Sequence, residues 1–168
     1  MDLTPYRVLH FATHSVISPP HPDRSALVLS LNTEAEEDGF LQVREIYDLK
    51  LNADLVVLSS CQTGPGTGLA GDGLQGFARA FFFAGARSLV ASLWKVEDEA
   101  TSKLMTAFYT YMRDGYSKSE SLRRAKIDLI KMGANPKQWA AFTLLGESQG
   151  SVPMFSRSRK WLWGLWGG

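Results

Sequence analysis

Two side chains in this sequence have the chemistry of a nucleophile and its base, and both stand at the ends of apolar runs. Cys61 follows ADLVVLSS, and His14 follows YRVLHFAT. A free thiol with a pKa near about 8.5 is ionised only to a few per cent at neutral pH, so it needs a partner to attack a carbonyl efficiently. An imidazole within reach takes the thiol proton and later returns it to a leaving amine, which is the chemistry of a cysteine peptidase. The two residues lie 47 positions apart. Taken singly they have plainer readings: Cys61 as a small buried apolar residue, His14 as a structural histidine. His10, inside its apolar run, suits a structural role better than His14 does.

A parallel sheet is what would bring such a pair together, because functional groups of open α/β sheets collect at the carboxyl ends of the strands. Residues 6–13, 53–59 and 86–93 are short, nearly continuous apolar runs, the pattern of strands covered on both faces. Residues 26–31 predict a further strand, and the acidic stretch 33–39 with its Asp-Gly predicts the solvated tip of a hairpin. Helices are predicted over 42–49, over 74–85 with Gly85 as C-terminal cap, over 96–113 with Asp98 as N-cap, and over 117–132. Phe77, Phe81, Phe82 and Phe83 are assigned to the core, and residues 139–145 (WAAFTLL) to a last short strand. Alternation of this kind predicts an α/β fold with parallel central strands. If the strands ending at His14 and Cys61 are neighbours, both side chains reach one edge.

The segment CQTGPGTGLAGDG holds five glycines and a proline in thirteen residues. Gly64, Gly66 and Gly68 would keep side chains out of a cleft, and the backbone N–H groups of Cys61 and Ser15 are placed to hold an oxyanion. The run lacks the Gly-Lys-Ser/Thr ending of a phosphate-binding loop. Net charge of +1 gives no electrostatic case for nucleic acid. With one cysteine there is no internal disulfide and no structural zinc set, so neither metal nor organic cofactor is expected, and a reducing compartment, the cytoplasm, is. The N-terminus has no signal-peptide pattern, and no stretch of about 18 apolar residues would span a membrane. Residues 148–168 form a basic, Trp-rich tail, broken by Gly, that reads as flexible or docking sooner than as an interfacial membrane anchor.

The segments LHFATHS, ADLVVLSSCQTGPG, GFARAFFFAGARSLVASLWKVEDEAT, SLRRAKIDLI and PKQWAAFTLLG occur in order between Tyr6 and Gly146. In them the chain resembles the CHAT domain, a branch of the caspase–separase proteases, with residues 1–147 as the domain. Its His-to-Cys spacing is similar to the roughly 50 residues of caspases. The resemblance implies a caspase-like three-layer sandwich with a mostly parallel sheet, here starting without the N-terminal strand and helix usual before the His-bearing strand. It implies a cysteine endopeptidase with His14 and Cys61 as catalytic dyad. Ser15 stands where many relatives have the Gly that donates an oxyanion N–H. Ser92 to Asp98 is similar to the region forming the first specificity pocket of separase-like proteases. Trp94 and Asp98 would then bind substrate, with Asp98 favouring Arg or Lys before the scissile bond; the alternative is Asp98 as helix cap only. The partners implied are a protein or peptide substrate and a separate regulatory protein. The rival expectation is an inactive or incomplete domain used for protein interaction.

Overall fold

The apolar runs become the middle of a sheet because they are covered twice. In the computed structural model, which describes residues 2–29, 38–59, 61–62, 72–152 and 160–163, five strands pair in the order β8, β7, β5, β1, β9. Their ranges are β1 Tyr6–Phe11, β5 Leu55–Leu58, β7 Ser88–Ser92, β8 Phe142–Gly146 and β9 Lys160–Trp163. β1, β5, β7 and β9 run parallel, and β8 closes one edge antiparallel to β7. All of Leu55, Val56, Val57 and Leu58 are fully buried. Successive strand residues point to opposite faces. Val56 and Leu58 pack with Val43 and Ile46 of α1 (Val43–Ile46) and with Phe77 and Phe81 of α2 (Asp72–Ala84). Leu55 and Val57 pack with Leu104 and Phe108 of α3 (Asp98–Arg113) and with Leu122 and Leu129 of α4 (Lys118–Lys131). The result is three layers with a core on each side of the sheet, and each such buried side chain contributes roughly 1.5–3 kcal/mol.

A smaller sheet continues from the main one. β2 (His14–Val16), β3 (Ala26–Val28), β4 (Phe40–Gln42) and β6 (Cys61–Gln62) pair in the order β4, β3, β2, β6. β3 and β4 are the antiparallel arms of the predicted hairpin, whose tip at 33–37 lies outside the described residues. At the far end of the main sheet, the Asp54 carboxylate is buried between two guanidiniums. Arg7 Nε donates to Oδ2 at 2.8 Å, and Arg87 Nη1 to Oδ1 at 3.3 Å. Asp54 N–H also donates to the Arg7 carbonyl at 2.8 Å. Buried Lys118 at the start of α4 donates to the Asp54 carbonyl at 3.3 Å, and burial pushes its ammonium below the usual lysine range. This cluster fixes β1 against β5 from the end opposite the candidate site.

Four local expectations differ from the structure. Trp139 does not open a strand: residues Pro136–Trp139 form the short helix α5. Asn135 and Gln138 cap that helix reciprocally, the Asn135 N–H donating to Gln138 Oε1 at 2.9 Å, and a proline at the first helical position reinforces the start. Phe83 is not core. It is 75% exposed and meets only the edge of the Tyr47 ring at 5.4 Å among the ring contacts of the described residues. Phe81 and Phe83 are two residues apart, so a helix turns them to opposite sides. Asp98 is not the N-cap of α3; Glu97 holds that position without a side-chain cap bond, and Asp98 is the first helical residue. Finally, within the tail expected at 148–168, Lys160–Trp163 is strand β9, while 153–159 and 164–168 lie outside the described residues.

Candidate active site

One register runs the length of two neighbouring strands. Val8 pairs with Leu55, His10 with Val57 and Phe11 with Leu58 in β1 and β5. Both chains then leave the main sheet and pair again in parallel as β2 and β6, with His14 opposite Cys61 and Ser15 opposite Gln62. The offset is the same before and after the break, so the two segments advance in step. His14 and Cys61 are therefore backbone partners at the carboxyl ends of β1 and β5. Neighbouring strands lie about 4.8 Å apart. The His14 side chain is exposed, on the face of β2 opposite Ser15.

β2 is held in place from its other side. Ser15 and Val16 pair antiparallel with Leu27 and Ala26 of β3. The Thr13 hydroxyl donates to the Val28 carbonyl just before His14. Ser15 is fully buried, and its Oγ has no hydrogen-bond partner among the described residues. A buried hydroxyl without a partner costs about 1 to 3 kcal/mol. Ser15→Ala should therefore raise stability by about 1 kcal/mol, seen as a melting temperature higher by about 3 °C. A lowered melting temperature would show that the hydroxyl is satisfied.

The third parallel strand contributes at the same edge. β7 runs parallel to β5, and the segment after it carries Trp94 and Asp98. Trp94 is 37% exposed, and its indole N–H donates to the Lys137 carbonyl at 2.8 Å, which fixes the ring against α5. Asp98 is exposed in the first turn of α3, where a carboxylate is stabilised by the helix N-terminus. The segments that carry His14, Ser15, Cys61, Trp94 and Asp98 follow the carboxyl ends of β1, β5 and β7. The glycine positions 64, 66 and 68 lie outside the described residues. Among the described residues no group of three or more His, Cys, Asp or Glu is arranged to hold a metal ion.

Behind this edge His10 has the structural role its place in the apolar run suggested, with partners that the sequence did not announce. His10 Nε2 lies 2.7 Å from Ser59 Oγ, and Tyr109 Oη of α3 lies 2.9 Å from His10 Nδ1. Burial holds the His10 imidazole down to about 4, against an ordinary value of 6.5, and pushes the Tyr109 phenol up. Both rings are therefore neutral at physiological pH. The unfolded chain takes a proton on this histidine near pH 6.5, which the folded chain refuses until about 4. Stability from this source is complete above pH 6.5 and is lost as pH falls towards 4. The full loss is on the order of 3 kcal/mol. Urea melts between pH 7 and 4 should show that decline, and a His10→Gln variant should lack its steepest part. An equal decline in both proteins would remove His10 as its source.

A mostly parallel sheet covered by helices on both faces is the architecture of a caspase-like α/β sandwich. The chain belongs to the CHAT domain family, whose model matches residues 1–147. It is also similar to tetratricopeptide repeat protein 28 of Mus musculus, 31% identical over 182 residues, covering 86% of this chain and 7% of that protein. The protein of that name from Homo sapiens is 34% identical over 112 residues, covering 66% of this chain and 4% of that protein. The chain thus spans less than about a tenth of either relative's length. No helix of the described residues is long and apolar enough to cross a membrane.

Proposed function

We propose that the chain is a caspase-like cysteine endopeptidase in which Cys61 attacks the scissile carbonyl and His14 acts first as general base, then as general acid. The observation that supports this reading is the common register of the two segments, the same on both sides of the break, with the His14 backbone paired to that of Cys61. A backbone separation of about 4.8 Å is one that a thiol and an imidazole bridge. In the first step the thiol proton passes to the imidazole as the sulfur–carbon bond forms, and the tetrahedral oxyanion is held by the N–H groups of Ser15 and Cys61. The imidazolium then protonates the departing amine. Water, deprotonated by the same imidazole, hydrolyses the thioester and frees the thiol. The substrate is a protein or peptide. Trp94 provides an apolar wall, and the exposed carboxylate of Asp98 favours Arg or Lys before the scissile bond. The chemistry needs no metal or organic cofactor, and a reducing cytoplasm keeps the thiol active.

A second reading, a protein-interaction module without activity, is supported by the names of the relatives, which are tetratricopeptide repeat proteins. On either reading the chain engages a protein or peptide. The two are separated by incubating the chain and Cys61→Ala with a library of fluorogenic peptides that vary in the residue before the cleaved bond. Hydrolysis present in the first and absent in the second, strongest after Arg or Lys, is the expected result. Equal background in both abandons the peptidase.

A further inference from the structure

Two consecutive residues of β1 grip Ser59. The Ser59 N–H donates to the Phe11 carbonyl at 3.1 Å, and its hydroxyl oxygen lies 2.7 Å from His10 Nε2. Ser59 is two positions ahead of Cys61, at the point where the β5 chain leaves the main sheet. The other nitrogen of His10 is bonded to Tyr109 in the middle of α3, with ring centroids 5.7 Å apart. A neutral imidazole offers one donor and one acceptor, so either tautomer joins serine, histidine and tyrosine in one chain. This chain lies on the α3 face of the sheet, where the neighbours are Val8, Val57, Leu104 and Phe108. Apolar side chains would fill that place without the cost of burying polar groups. Something other than packing therefore accounts for three polar residues converging there.

We propose that Tyr109, His10 and Ser59 are positioning residues that lock the segment carrying Cys61 in register with His14, so that helix α3 governs the reactivity of the thiol. The proposal rests on the reading of His14 and Cys61 as a dyad. The paired backbones advance in step from β1 and β5 into β2 and β6. A shift of Ser59 along β1 would carry Cys61 away from His14 by the same amount. The side-chain bond from His10 opposes that shift. Its anchor on Tyr109 ties it to a helix whose first residue, Asp98, stands only four positions beyond Trp94.

The test uses iodoacetamide on the full chain. Cys61 is the sole cysteine, so every adduct reports on it. Alkylation rates are measured against pH for the unaltered chain, His14→Ala, Tyr109→Phe, Ser59→Ala and Ser59→Thr, with a thermal melt of each. The unaltered chain should show a midpoint below the value near about 8.5 of a free thiol, and His14→Ala should return it there. Tyr109→Phe and Ser59→Ala should each slow alkylation at neutral pH by about fivefold to tenfold and raise the midpoint, while Ser59→Thr should stay within about twofold of the unaltered chain. A merely structural role would lower melting temperatures and leave the midpoints alone. Folded Tyr109→Phe and Ser59→Ala with the unaltered profile overturn the proposal. Tyr109→Phe deletes one oxygen and keeps the ring, so it carries the test if Ser59→Ala does not fold. If the unaltered chain and His14→Ala share one profile, the dyad itself fails; if they differ while Tyr109→Phe matches the unaltered chain, only the positioning role fails.

Discussion

His14→Ala is expected to cut peptide hydrolysis by about a thousandfold or more while moving the melting temperature by less than about 3 °C. The first half follows from the chemistry: without an imidazole the sulfur is mostly protonated at neutral pH, and the leaving amine has no acid. The second half follows from exposure. The His14 side chain faces away from the buried side of β2, so its removal opens no cavity. Because the two groups act as a unit, His14→Ala combined with Cys61→Ala should be no slower than either alone. Initial rates on the best peptide of the library, with thermal melts alongside, measure all of this. A His14→Ala protein that hydrolyses within about tenfold of the unaltered chain would remove the histidine from the mechanism. A protein that loses both activity and folding would point to β2 needing its side chain.

The parts of this fold that could be read in the sequence are those whose environment is uniform along the element. β5 and β7 are buried on both faces, so their runs are unbroken in apolar residues and stand out. The backbone pairing of His14 with Cys61 was legible for a related reason: residues just past the ends of such runs have few places to go except one edge of a parallel sheet. Where local preference and tertiary context compete, sequence reasoning failed. WAAFTLL has the composition of a strand, but Asn135 and Pro136 start a helix before it, and only Phe142–Gly146 joins the sheet. Phe83 has the composition of core and the helical phase of surface, and phase prevailed. The link from His10 to Tyr109 spans 99 positions, and no local pattern announces a partner so distant.

Gly85→Ala should destabilise the protein by about 4 kcal/mol, far more than the same change at Gly115. Gly85 closes α2. Its N–H donates to the Phe82 carbonyl at 3.1 Å, and the Ala86 N–H to the Phe81 carbonyl at 2.9 Å, which together satisfy the last helical carbonyls. That closure requires the left-handed backbone of Gly85, with φ of 110°. A side chain there would add the conformational cost of about 1–2 kcal/mol. It would also place its Cβ 2.3 Å from the Leu51 carbonyl oxygen, closer than atoms can stand. The neighbouring backbone has little room to yield, because the Leu51 N–H is itself bonded to the Ala84 carbonyl at 2.8 Å. Relief would pull α2 from the segment leading into β5, opening the core between Phe81 and Ala53. Gly115, with φ of 90°, has open space around the position of a Cβ. Gly115→Ala should therefore show the conformational cost alone, about 1 kcal/mol. Urea unfolding of the two variants separates the terms, since their difference isolates the collision with Leu51. Equal losses in both would mean that the turn after α2 relaxes freely, and that the start of β5 is not anchored as the packing implies.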